Sequence, residues 1–239
     1  LSDAVPNIER LTVITGHYGS GKTNLSINLA LDLAEKGGPV TLVDLDVVNP
    51  YFRSSDYAAL LTARGVRVVS PSFAGTTLDT PSLSAAVYSV FESEGHVIFD
   101  AGGDDAGSTA LGRYSDNFAG TGYDLLYVVN RYRNLTAMPE EAAALLPEIE
   151  SASHLRATGV VNNSHLKQET TVATVADSIQ YARECAALLG LPLRFTTVPK
   201  RLACEFSEAP GAPGHVENVY PVEIYVRTPW ERGVGEVDA

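Results

Sequence analysis

Eight consecutive residues, Gly16-His17-Tyr18-Gly19-Ser20-Gly21-Lys22-Thr23, match the pattern G-x-x-x-x-G-K-[ST]. Glycines at this spacing let a loop fold back so that successive N–H groups point inward onto phosphate oxygens. A helix beginning at the loop's end adds its positive pole. In such a loop the Lys22 ammonium reaches the β and γ phosphates of a nucleoside triphosphate, and the Thr23 hydroxyl ligates Mg²⁺. The candidate phosphate-binding residues are therefore Gly16, Tyr18, Gly19, Ser20, Gly21, Lys22, Thr23 and the adjoining Asn24.

Acidic residues stand where a metal would need them. Asp100 closes the apolar run HVIFD, where a carboxylate can hold Mg²⁺ through water, and Asp44 and Asp46 end VTLVDLD on one face of their strand. Thr23, Asp46 and Asp100 form the candidate metal set. Gly102-Gly103, directly after Asp100, would let backbone N–H groups approach a γ-phosphate.

These groups need a scaffold that gathers strand ends. Seven short runs rich in β-branched residues, at 11–16, 40–46, 66–71, 96–103, 124–130, 157–163 and 193–199, alternate with helical patterns. The helical stretches are TNLSINLALDLAEKG, with Leu25, Leu29 and Leu33 four apart, SLSAAVYSVFESEG, PEEAAALLPEIESA and ATVADSIQYARECAALLG. Continuous apolar strands separated by helices predict a doubly wound α/β domain, its mostly parallel sheet of about seven strands covered on both faces. In such a sheet the strands' carboxyl ends meet at the ligand crevice, so the three aspartates are expected to converge on the loop. One nucleoside triphosphatase domain is expected over 1–205, with 206–239 a C-terminal extension packed on it. Pro210, Pro213, Pro221 and Pro229 predict loop and extended chain there, with EIYVRT an edge strand.

Composition excludes several classes. The 239 residues are 45% hydrophobic, enough for a full core, and 17 Lys+Arg against 29 Asp+Glu give a net charge of -12. That balance argues against binding nucleic acid or a membrane surface. No apolar run is long enough to span a bilayer, and LSDAVPNIER lacks the features of a secretory signal, so a cytoplasmic protein is expected. Cys185 and Cys204 form no CxxC pattern and read as two reduced, packed thiols.

Taken together, these motifs resemble the ParA/MinD/Mrp family of P-loop ATPases, in the SIMIBI class that also includes nitrogenase iron protein and the metal-insertion GTPases. The likeness covers residues 11 to 200. GHYGSGKTNLSINLALDLAEKG and VTLVDLDVVNP resemble the family's loop, first helix and second acidic strand, DAGG its Walker B segment, and GVVNN the segment supplying an adenine-contacting Asn. The resemblance implies that Lys22 and Asp46 are catalytic, Asp46 positioning or activating the attacking water. It makes Asp100 the carboxylate behind the Mg²⁺ ion and Gly103 the γ-phosphate sensor. Asn163 would bind the base, and Val198-Pro199-Lys200 would lie over adenine.

One departure concerns charge. Deviant-loop members carry a signature Lys after the first Gly, reaching across a nucleotide-dependent dimer, whereas His17 occupies that place here. Arg53, Arg131 and Arg133, each near a strand end, are the candidate substitutes. By fold analogy, residues 47–56 form a first switch loop and Arg113, within STALGRYSDNF, belongs to a second.

The leading expectation is a Mg-ATP-dependent ATPase with slow hydrolysis, acting as a switch or assembly factor on a partner protein, with a nucleotide-dependent homodimer left open. A metal-insertion GTPase is the first alternative, since GHYGSGKT also resembles the nickel-maturation loop, but the chain has no N-K-x-D for guanine and no His-rich or Cys-rich tract. A small-molecule kinase or ligase is the second. Its acceptor would lie in the 47–56 and 104–120 loops.

Overall fold

The computed structural model describes residues 5–46, 53–70, 85–208 and 218–226. The strands are β1 (Leu11–Thr15), β2 (Val40–Asp44), β3 (Val66–Val69), β4 (His96–Asp100), β5 (Tyr123–Val129), β6 (Gly159–Asn162), β7 (Leu193–Pro199) and β8 (Val219–Val222). They form one eight-stranded sheet in the order β3-β2-β4-β1-β5-β6-β7-β8, and every pair in it is parallel. All seven expected strands are present. The helices are α1 (Lys22–Glu35), α2 (Ala58–Ala63), α3 (Ala85–Ser89), α4 (Asp105–Gly112), α5 (Ser115–Ala119), α6 (Pro139–Ser153), α7 (Val172–Leu189) and α8 (Ala203–Glu208).

Alternation along the strands divides the core into two layers, because successive side chains leave opposite faces of a sheet. Val13, Phe99, Leu125, Tyr127 and Val129 pack with Leu111, Phe118, Leu146 and Tyr181 from α4, α5, α6 and α7. Ile14, Ile98, Leu126 and Val128 face the other way, onto Leu25, Leu29 and Leu33 of α1 and Leu61 of α2. The sheet is thus doubly wound. Strand β1 lies between β4 and β5, the point where the chain's crossovers diverge, and the crevice above such a point is where open α/β sheets take ligands.

Three details depart from the sequence reading. The edge strand is Val219–Val222, with Glu223 already past it; residues 227 and 228 of EIYVRT lie outside the described residues. Pro221 is tolerated within β8 because the Thr196 N–H donates to the carbonyl of Asn218, so alternate residues 218, 220 and 222 face β7 and the proline's missing N–H faces outward. The segment 82–95 is helical only over Ala85–Ser89, and 82–84 lie outside the described residues. Cys185 is buried as expected, but Cys204 is exposed. Pro210, Pro213 and Pro229 also lie outside the described residues, and no described helix is long and apolar enough to cross a membrane.

Candidate functional site

The loop between β1 and α1 is built by three glycines. Gly16, Gly19 and Gly21 have φ of 148°, 76° and 88°, a backbone region that side chains disfavour. Space as well as conformation demands glycine at position 21, since a Cβ there would press on Asn163 Nδ2 and on His165 Nε2. Gly103 is similarly fixed, because a Cβ would strike the carbonyl of Gly16. The segment after β4 therefore backs directly onto the loop.

Lys22, the first residue of α1, is buried, and its Nζ donates to the carbonyl of His17 at 3.3 Å. Burial pushes its pKa down, while Asp100, Asp46 and Asp104 push it back up. The Asp44 and Asp100 backbones are register partners on adjacent strands. Asp100 is fully buried; its Oδ1 accepts from Ser26 Oγ at 3.3 Å, and Oδ2 has no hydrogen-bond partner among the described residues. Burial, with Asp44 and Asp46 nearby, raises its pKa to about 7 against the opposing pull of Lys22 and the Thr23 hydroxyl. A buried carboxylate with an open oxygen, a neighbouring hydroxyl and further carboxylates is a hard oxygen donor set, and that chemistry suits Mg²⁺.

The aspartates divide in role. Asp46 lines the crevice beside Gly102, whereas Asp44 and Asp100 are fully buried beneath it. Asp44 accepts from Arg53 Nε at 3.3 Å, from Ser55 N at 3.1 Å and from Asp46 N at 3.1 Å, so it anchors the turn that follows β2. Of the three carboxylates expected to converge on the loop, Asp46 and Asp100 act on Lys22 by charge, while Asp44 lies beside Asp100 and is engaged by the turn after β2. Asp104, not singled out in the sequence, joins them as a charge near Lys22 while capping α4 through Gly107 N at 2.7 Å.

The three candidate arginines also separate. Arg53 is held by Asp44, and Arg131 donates to the carbonyl of Asp177 on α7. Arg133 alone of the three reaches the loop, donating Nε to the Gly19 carbonyl at 2.8 Å. Its placement follows from Asn130 at the end of β5, whose Oδ1 accepts from Tyr132 N and whose carbonyl accepts from Thr136 Oγ1. His17 has its pKa lowered by burial and by Lys22, both of which disfavour its cationic form. Residues 47–52 of the expected switch lie outside the described residues, and Arg113 caps the end of α4.

Asn163 sits against the loop with its amide engaged on both sides: Nδ2 donates to Ser20 O at 2.7 Å, and Oδ1 accepts from Thr197 Oγ1 at 2.6 Å. Asn24 faces away from the phosphate end, its side chain bonded to the backbone of Glu223, Tyr225 and Val226. Around these groups lies a cavity of about 370 Å³. It runs from Tyr18, Gly19, Lys22 and Thr23 past Asp46 and Arg133 to Thr197, Pro199 and Ile224. His165 and Lys167, from the loop after β6, line it as well. No motif marks them. They are found only because β6 ends beside the loop.

The family profile described as CobQ/CobB/MinD/ParA nucleotide binding domain matches residues 11–205. The chain belongs to this family. A nucleotide-binding domain of the CobQ/CobB/MinD/ParA type therefore accounts for the glycine loop and for the crevice above β1. Among solved structures, the domain is similar to cell division protein FtsY from Thermotoga maritima, at 19% identity and TM-score 0.52, over 83% of this chain and 65% of that one. FtsY from Mycoplasma mycoides matches at 16% identity and TM-score 0.53, over 82% and 61%. An FlhF complexed with GTP and Mg²⁺ matches at 16% identity and TM-score 0.50, over 80% and 66%. The CobQ/CobB/MinD/ParA-type chain thus spans about two thirds or less of these proteins, and at such identities they share its fold. No curated protein matches it.

Proposed function

We propose that this protein binds Mg-ATP and hydrolyses it slowly, serving as a nucleotide-dependent switch or assembly factor for a partner protein. The observation that carries this reading is the burial of Lys22 at the mouth of a three-glycine loop, in one crevice with Thr23 and Asp46 and within the field of the buried Asp100. Thr23 would ligate Mg²⁺, with Asp46 and Asp100 holding its water. The ion would supply charge neutralisation across the β and γ phosphates. Lys22 would bind the same oxygens through its ammonium, and the Gly103 N–H would meet the γ-phosphate. Asp46 would orient the attacking water and take its proton. Phosphoryl transfer needs positioning and charge more than covalent chemistry, so this set suffices for slow turnover.

Adenine is favoured over guanine because β6 runs out into Asn162-Asn163-Ser164-His165, with no Asp to accept from guanine N1 and N2. Asn163 and Pro199 would flank the base. Residues 206–239 are proposed as an extension of the same domain, and a homodimer would form, if at all, in the triphosphate state. Calorimetric titration with Mg-ATP and Mg-GTP, followed by phosphate release and sizing in both states, tests the reading. The unaltered protein should bind Mg-ATP more tightly. Lys22→Ala should weaken binding by about 100-fold or more, and Asp46→Ala should keep binding but lose turnover. Preference for GTP would replace this reading with the metal-insertion GTPase, and hydrolysis at the normal rate by Asp46→Ala would remove that residue from the mechanism.

A further inference from the structure

The cavity has two chemically distinct ends. At one end stand the loop glycines, Lys22, Thr23, Asp46 and Arg133, all suited to anionic oxygens. At the other, Pro199 and three residues of the C-terminal segment, Val222, Ile224 and Val226, make an apolar wall. All three are aliphatic and line the same cavity.

The segment is fixed from α1 by side chains acting as backbone partners. Asn28 makes a two-point amide pair with Glu223, accepting from its N–H at 2.8 Å and donating Nδ2 to its carbonyl at 2.9 Å. Asn24 donates to the same carbonyl at 2.8 Å and accepts from the N–H groups of Tyr225 at 2.8 Å and Val226 at 3.2 Å. One turn further along the same helix face, Asp32 accepts from the Tyr220 hydroxyl at 2.7 Å. The helix that begins at the phosphate loop therefore also clasps the segment walling the far end of the cavity.

We propose that the segment Val222–Val226 is the surface against which the nucleotide's base packs, and that base binding and docking of this segment on Asn24 and Asn28 are linked. This rests on reading the cavity as a nucleotide site. A purine is a flat, weakly polar ring whose faces gain by leaving water for aliphatic surface, and Ile224 and Pro199 offer such surface. Linkage follows because a ligand that contacts only the docked segment stabilises the docked state by its differential affinity. The phosphate tail touches none of the segment, so it should not share in this coupling.

Inorganic tripolyphosphate with Mg²⁺ separates the two ends. Ile224→Ser and Asn28→Ala are each expected to weaken Mg-ATP binding by at least about 10-fold while leaving the tripolyphosphate affinity within about 2-fold. In the unaltered protein, amide hydrogen exchange at Glu223, Tyr225 and Val226 should slow with Mg-ATP and stay unchanged with Mg-tripolyphosphate. Equal ATP affinity in Ile224→Ser, equal losses for both ligands, or exchange at those amides that ignores ATP would overturn the proposal. Failure of the unaltered protein to bind either ligand would instead defeat the nucleotide reading itself, and the base wall with it.

Discussion

His165 shows how a residue without a motif can affect the site. Its Nε2 lies against Gly21, its Nδ1 accepts from Lys167 N at 3.1 Å, and burial, then Arg133 and Lys167, lowers its pKa to about 4. The unfolded chain titrates near the ordinary value of about 6.5, so it binds more protons than the folded one between these two values. The contribution of neutral His165 is complete above about pH 6.5 and fades as pH falls toward 4. After allowance for solvent screening of a half-buried ring, up to about 2 kcal/mol is at stake. Urea unfolding at pH 7 and pH 5 should show a smaller loss of stability in His165→Gln than in the unaltered protein. An unchanged pH dependence would free His165 from this role. The neighbouring Asn163 was visible in the sequence as a strand-end amide, but its bond to the Ser20 carbonyl was not, because nothing in a sequence states which loop a side chain will lean on.

At the scale of elements, the end of the sheet opposite the cavity is tied by one carboxylate. Asp124 on β5 takes Arg194 of β7 at 2.6 and 3.1 Å, Thr158 Oγ1 at 2.7 Å and Glu9 N at 2.9 Å. Burial works against its charge, but the bonds from Arg194, Thr158 and Glu9 outweigh it and leave the pKa below the ordinary carboxylate value. With the folded value depressed, the stabilisation is present above about pH 4 and is lost as pH falls below it. Asp124→Asn should cost about 1–3 kcal/mol in chemical denaturation at pH 7, because it leaves the partly exposed Arg194 guanidinium without its counter-charge. Nucleotide affinity should stay unchanged, since the strands' carboxyl ends lie across the sheet. Strands β1 to β7 were legible because parallel, doubly covered strands read as continuous apolar runs. The edge strand was misplaced by four residues because Val219–Val222 contains a proline, and only pairing with β7 reveals that Pro221 faces outward. The partner of Asp44 was not legible for a related reason: period-two alternation gives the face of a strand but not the arginine that will claim the carboxylate.

For the molecule as a whole, ligand binding should appear as stability. A ligand that binds only the folded chain at 100 times its dissociation constant adds about 2.7 kcal/mol. In a chain of this length each kcal/mol moves the melting temperature by about 2–4 °C, so a thermal melt with excess Mg-ATP should rise by about 5–10 °C. Lys22→Ala should show almost none of that rise. A rise of the same size in Lys22→Ala would place the stabilising contact somewhere other than the loop.

The clasp on α1 joins positions far apart in the chain: Asn24 and Glu223 are separated by 199 residues. During synthesis the glycine loop and the first helix leave the ribosome early, whereas the chain that walls the cavity's far end emerges last among the described residues. The phosphate end itself draws on Asp100, Arg133 and Asn163, so it is completed well after the loop is made, and the far wall of the cavity later still. On the proposed reading, full affinity for a nucleotide would arise only after residues 222–226 had been made.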